Sequence, residues 1–204
     1  MSSAAFSLAP GTVISLTAAP KKSWGQGDVR EIASGSLSEN GELIPSISTE
    51  PNAWDWRLSV ASIEAAGKFT PYTGFERTLT VIIGELLELT IDGETHPVEL
   101  YRPLKFSGDA STTAALPTGD VLALNLITRR GTVRGNVRII ELSKKIDQHL
   151  FGAQFGILLQ GQATMTFGDA QTKLEVRDTV IGGEEDSPRI SGRGFMAVVS
   201  LDPA

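Results

Sequence analysis

Short runs of Val, Ile, Leu and Thr, each closed by a glycine- or proline-bearing turn, recur along the whole chain, and helical periodicity is nearly absent. That pattern specifies many short strands joined by tight turns, because Gly reaches positive φ freely and Pro cannot continue a β-ladder. The 21 Gly and 10 Pro supply the punctuation. Residues 77–91 (RTLTVIIGELLELTI) read as strand, bend at Gly84, strand. Asp92–Gly93 then provides the positive-φ pair of a hairpin before a strand over 95–100. Gly119–Asp120 similarly introduces a strand over 121–127 (VLALNLI). One short helix is expected, over 143–150, with Ser143 as its cap.

The second half echoes the first. Gly84 closes TVIIG and precedes LLELTI, the Asp92–Gly93 turn, VELYRP, and later Gly119 with VLALNLI. Gly161 closes GILLQG and precedes ATMTF, a turn at Gly168–Asp169, LEVRDTVI, and later Gly194 with FMAVVSL. Arg102 lies 18 residues after Gly84 and Arg177 lies 16 after Gly161; Gly119 and Gly194 follow at 35 and 33. Two similar β-units in tandem explain these offsets economically, although evenly spaced turns arise in any all-β fold.

Composition removes several function classes. At 204 residues and 41% hydrophobic content the chain can bury a normal core. Eighteen Lys+Arg against 24 Asp+Glu give a net charge of −6, which disfavours a phosphate backbone as partner, so no nucleic-acid binding is expected. The basic stretch Arg129, Arg130, Arg134 and Arg138 has no interleaved aromatics and reads as a solvated or interface strand face. With no Cys, thiolate metal sites, disulfides and thiol nucleophiles are excluded, and His96 and His149 are too few for a three-histidine metal site. GxSxG, GxxxxGK[ST] and HExxH do not occur. Residues 1–19 are mildly apolar but lack a basic start and are broken at Pro10–Gly11, so export is not expected. No run approaches the roughly 20 apolar residues of a spanning helix, and a cytoplasmic protein without membrane contact is expected.

Several segments together resemble the HutD/Ves family of small bacterial proteins. They are Trp24 with Arg30–Glu31–Ile32, residues 55–61 (DWRLSVA), 69–79 (FTPYTGFERTL), Phe106 with Gly108–Asp109 (FSGD), and 125–131 (NLITRRG). They run in family order, and DWR[VL]S followed by [DE]R-x-[LI] about twenty residues on is the most specific part. Residues 24–28 (WGQGD) shorten the family's glycine run. The resemblance implies an all-β double cupin (bicupin): an N-terminal cupin-like barrel over 1–141 and a C-terminal cupin-like unit over 142–204, packed together.

Metal-binding cupins present two histidines and a glutamate on an inward hairpin, the glutamate seven positions before a closing glycine. Here the closing glycine is best matched by Gly84, and seven positions back stands Arg77, with no histidine in 71–76. A guanidinium repels a cation, so the first barrel is expected to hold neither metal nor other cofactor. By period-two alternation Arg77 shares a face with Leu79, Val81 and Ile83. A cation there needs either an internal carboxylate, such as Glu31 or Asp55, or a ligand carboxylate bound bidentately. Arg57 and Ser59 lie on the opposite face of their strand from Trp56 and Leu58, toward solvent or a polar lumen. Trp24 and Phe106 are candidate walls of the same cavity, or simple core.

The expected function is therefore non-enzymatic binding of a small carboxylate by Arg77, Arg57, Ser59, Trp24 and Phe106. Resemblance to HutD implies control of histidine utilisation through an intermediate such as urocanate or N-formylglutamate, and cupins often pair as homodimers. Two rivals stand beside this reading: a metal-independent isomerase or lyase acting on a small acid or sugar, and a partner-binding module whose interior is filled. The enzyme would need Glu31 or Glu76 in the cavity beside Tyr72 or a histidine.

Overall fold

The computed structural model describes residues 8–46, 50 and 52–204; the first seven residues of the leader-like stretch lie outside them. The described chain is built of strands: β1 (Val13–Ile14), β2 (Lys21–Trp24), β3 (Gly27–Leu37), β4 (Leu43–Pro45), β5 (Trp56–Ile63), β6 (Gly67–Lys68), β7 (Phe75–Ile83), β8 (Leu86–Ile91) and β9 (Glu94–Glu99). There follow β10 (Leu104–Ser107), β11 (Thr112–Ala115), β12 (Val121–Arg129), β13 (Val133–Leu142), β14 (Gln148–His149), β15 (Gln154–Phe167), β16 (Ala170–Leu174), β17 (Thr179–Ile181) and β18 (Arg189–Pro203). No helix among the described residues is long and apolar enough to cross a membrane.

Three sheets form. The first runs β10-β7-β12-β5-β3-β2 with β4 added to β3, the second β6-β11-β8-β9, and the third β1-β17-β15-β18-β13 with β14 and β16 at its margins. None of them closes into a barrel. The first sheet is sandwiched between the other two. One face sends Trp56, Leu58, Leu124 and Leu126 against Phe155, Ile157, Val199 and Leu201 of the third sheet, with the Trp56 and Phe155 rings 5.4 Å apart. Its other face packs Leu79, Val81 and Ala123 against Leu87, Leu89 and Val98 of the second. The far face of the third sheet carries a separate cluster around Leu150, Leu158, Met165 and Met196.

The turn chemistry holds. Asp92 (φ 48°) and Gly93 (φ 90°) join β8 to β9 as a two-residue hairpin. Gly84 (φ 94°) and Gly161 (φ 99°) end their apolar runs in a left-handed conformation, and a Cβ on Gly84 would meet Val121 Cγ1 at 2.8 Å. Val81 and Leu158, each three residues before these glycines, accept from the N–H of Tyr101 (2.9 Å) and Arg177 (2.6 Å). Tyr101 and Arg177 are themselves non-glycine residues with positive φ, at 61° and 77°. The spatial counterpart of Arg177 is thus Tyr101 and not Arg102, a shift of one residue from the offset read along the chain.

The expected helix over 143–150 does not form. Ser143 Oγ accepts from the N–H of Lys145 at 3.0 Å in a local turn, Ile146 is 75% exposed, and Gln148–His149 pair as β14 with Ile190 and Arg189. Ser143 had the right chemistry for a cap, but the segment offers only Ile146 and Leu150 as apolar anchors, so no helical stripe exists to bury. The partition at 141/142 falls at the end of β13, all ten residues of which pair with β18, while β1 pairs with β17. Both early strands therefore hydrogen-bond into the sheet of the C-terminal half.

Candidate functional site

Register places the candidate residues. Across β5, β12, β7 and β10, Arg57 stands opposite Ile127, Ile127 opposite Arg77, and Arg77 opposite Phe106, a single row of four strands. The next row on the same face runs Ser59, Asn125, Leu79, and the one after it Ala61, Ala123, Val81. This face looks toward the second sheet, and over it lies a cavity of about 140 Å³. Arg57, Arg77, Ser59 and Asn125 contribute polar lining; Trp24, Val29, Ala61, Ile63, Phe69 and Ile127 form the apolar part. Thr70 and Tyr72, from the segment before β7, close it on the arginine side.

Both guanidiniums are held by rings more than by anions. The Arg77 Cζ lies 4.9, 5.6 and 5.3 Å from the ring centres of Phe69, Tyr72 and Phe106. The Arg57 Cζ lies 5.1 and 5.2 Å from Trp54 and Tyr72, so Tyr72 stands between the two cations. Arg57 Nη2 donates to Tyr72 Oη at 2.9 Å, and Arg77 Nη1 donates to the Thr70 carbonyl at 3.3 Å. Tyr72 is itself pinned by its N–H, which donates to Gly108 O at 2.8 Å.

No carboxylate among the described residues pairs with either arginine. Asp55 accepts from Arg129 Nε at 2.7 Å, and Arg129 also reaches the carbonyls of Asn52 and Trp54. Glu31 accepts from Ser34 Oγ at 2.8 Å, and Glu76 is paired with Arg130 at 3.0 Å. The internal pair considered for Arg77 is therefore not made. Arg57 Nε, Arg77 Nε and Asn125 Oδ1 are buried without a partner. Burial pulls the Arg77 guanidinium down to about 10; nearby Tyr72 opposes that shift and Arg57 adds to it. At neutral pH Arg77 is still a cation.

The segments that carried the family resemblance are the scaffold of this cavity. Asp109 accepts from the Gly74 N–H at 3.0 Å and from Arg130 Nη2 at 2.7 Å, tying FSGD to the loop behind Tyr72. Arg130, with backbone and side-chain partners on both sides, holds the Asp109 carboxyl below its ordinary range. Arg129 and Arg130 are thus engaged in ion pairs, whereas Arg134 and Arg138 are exposed on β13. Of the walls expected, Trp24 lines the cavity, with Nε1 donating to Ser62 O at 3.3 Å and its ring edge-on to Phe69. Phe106 backs Arg77 from the core without lining the cavity.

Sequence reasoning gave Tyr72 no binding role and overlooked Phe69, Thr70 and Asn125. A signal existed for the last: VLALNLI places one amide inside an apolar strand, and such a group needs a partner. His96, 4.0 Å from Glu94, and His149, 3.2 Å from Ser187 Oγ, are outside the lining. Among the described residues no group of three His, Asp or Glu side chains gathers in a way that could hold a metal ion.

The fold and the site define an all-β, cupin-like protein with a cationic, aromatic-walled cavity in its N-terminal half. The HutD family model matches residues 17–198, and the chain belongs to that family. It is 30% identical over 116 residues to Protein Ves of Citrobacter koseri, a match spanning 56% of this chain and 59% of that relative. Among solved structures, HutD from Pseudomonas fluorescens superposes with a TM-score of 0.72 at 23% identity, covering 95% of this chain and 98% of the other. A cupin 2 conserved barrel domain protein from Leptotrichia buccalis shares the fold at a TM-score of 0.54 and 7% identity, with coverage of 89% and 92%.

Proposed function

We propose that this chain is a small-carboxylate receptor of the HutD/Ves type, cytoplasmic and non-catalytic, that tunes a catabolic pathway related to histidine utilisation by sequestering or sensing one of its acids. One observation carries the reading: two guanidiniums converge on one cavity, one of them 8% exposed, and neither has a carboxylate partner among the described residues. A buried cation without an anion costs several kcal/mol, and a planar fork with a free Nε is the shape that takes a carboxylate bidentately. The protein needs no metal, nucleic acid or membrane for this task. In the same reading the two β-units related by Gly84 and Gly161 form a bicupin, the first bearing the ligand and the second bracing it, in a homodimer.

Thermal melting with urocanate or N-formylglutamate tests it. At about 100 times Kd a ligand adds about 2.7 kcal/mol, which for a chain of this size is a rise in Tm of about 5–10 °C. Arg77→Ala should abolish the rise. The same small response in both proteins, across these and a panel of other small carboxylates, would remove the reading.

A further inference from the structure

Asn125 sits at the centre of the cavity floor, on β12 between Ser59 and Leu79, one row from the arginines. It is 7% exposed. Its Nδ2 donates to the Ala123 carbonyl at 3.3 Å, which fixes the amide's orientation: turned over, Oδ1 would face that carbonyl lone pair to lone pair. Oδ1 is left buried beside the cavity that Asn125 lines, and no donor among the described residues meets it. An acceptor in this position is as selective as a cation, because a ligand lacking a donor leaves it desolvated and unpaired.

The rows give an order along the cavity. Two residues of strand separate successive rows, roughly 7 Å at the usual rise. Cations stand at one end, the amide one row on, and Ala61 and Ala123 one row further. Of these two only Ala61 lines the cavity, its small side chain leaving height over the floor, and Trp24, Phe69 and Ile63 close it with apolar surface. A volume of about 140 Å³ is that of a cavity holding one benzene-sized ring. We propose that the ligand is a flat monocarboxylic acid of ring size whose N–H or O–H donates to Asn125 Oδ1 while its carboxylate lies on Arg57 and Arg77. This rests on the carboxylate reading of the arginines and adds a second, separable requirement.

Isosteric acids differing only in that donor decide it. Calorimetric titration of the wild-type protein should find pyrrole-2- or pyrrole-3-carboxylate bound at least about tenfold more tightly than the corresponding furan-carboxylate. In Asn125→Leu the ratio should fall toward one, with the furan acid bound no more weakly than by the wild type. Furan and pyrrole acids bound equally by the wild type, and both lost in Arg77→Ala, would overturn the donor requirement and leave the carboxylate reading standing. Neither acid bound at millimolar concentration, together with no response to the wider panel, would overturn both. Should Asn125→Leu fail to fold, the wild-type ratio decides alone.

Discussion

The regions around Gly84 and Gly161 share turn geometry, and the spaces beside them are filled differently. Seven residues before Gly84 stands Arg77; seven before Gly161 stands Gln154. Gln154 satisfies both ends of its amide inside the chain, donating to Ser200 Oγ at 3.2 Å and accepting from the Phe151 N–H at 3.0 Å. Next to it, Leu150 lies against Gly156, its Cδ1 2.6 Å from where a Cβ would be, and joins Leu158, Met165, Ile190 and Met196 in a sealed cluster. Beside Gly84's strand, by contrast, lie two arginines, an unpaired amide oxygen and open volume. A polar group that the chain itself satisfies is structure; one that the chain leaves unsatisfied is an invitation to a ligand. The difference teaches that similar turns can border either a packed, self-satisfied interior or a cavity whose polar groups the described chain leaves unpaired.

The largest test addresses the sealed side. Leu150 is fully buried, and Leu150→Ala should cost about 2–5 kcal/mol of unfolding free energy by denaturant titration, because the cluster cannot collapse around the void. The Tm increment from a bound carboxylate should survive in this variant at temperatures where it is folded. Loss of the increment with an intact fold would mean that the two interiors are not independent.

The next test reverses the sign. Arg77→Leu replaces an unpaired buried cation with a side chain suited to Phe69 and Phe106, so it should stabilise the ligand-free protein by about 1–3 kcal/mol while ending its response to carboxylates. The pH dependence follows from the lowered guanidinium. A base whose folded pKa, about 10, lies below its unfolded value binds fewer protons folded than unfolded, so its penalty is complete below pH 10 and is relieved as pH rises above it. The advantage of Arg77→Leu over wild type, measured by urea midpoints from pH 7 to pH 11, should therefore shrink toward the alkaline end. A wild type more stable than Arg77→Leu at neutral pH would show that the arginine is structurally compensated, and the contrast between the two interiors would fail.

Much of this was legible in the chain, and the reason is local. Gly84, Gly161 and Asp92–Gly93 announce themselves because a positive φ is a property of one or two residues. The inward face of Arg77 follows from strand parity alone, as does the grouping of Arg57 with Ser59. What parity cannot supply is the neighbour relation: β5, β12 and β7 are adjacent in the sheet but distant in sequence, so the row Arg57, Ile127, Arg77 emerges only from register. Nor can it assign Asp55, which looked available for Arg77 but is claimed by Arg129, 74 residues away. The segment over 143–150 misled because a good cap was present without a face for the helix to bury.

The smallest test concerns Tyr72, whose ring lies against both arginines. Its hydroxyl accepts from Arg57 Nη2 while its ring lies beneath both guanidiniums. Tyr72→Phe keeps the ring and deletes the acceptor, at a cost to stability of about 0.5–1.5 kcal/mol, the range of an ordinary hydrogen bond, because Arg57 is only half-buried and water can replace the lost acceptor. Because the half-buried Arg57 then loses the bond that aims it, carboxylate affinity should fall severalfold, less than in Arg77→Ala, where the cation itself is gone. If instead affinity rises, the freed Nη2 serves the ligand better than it serves Tyr72. The two arginines would then act as interchangeable charges, and the fixed orientation of Arg57 would have no part in recognition.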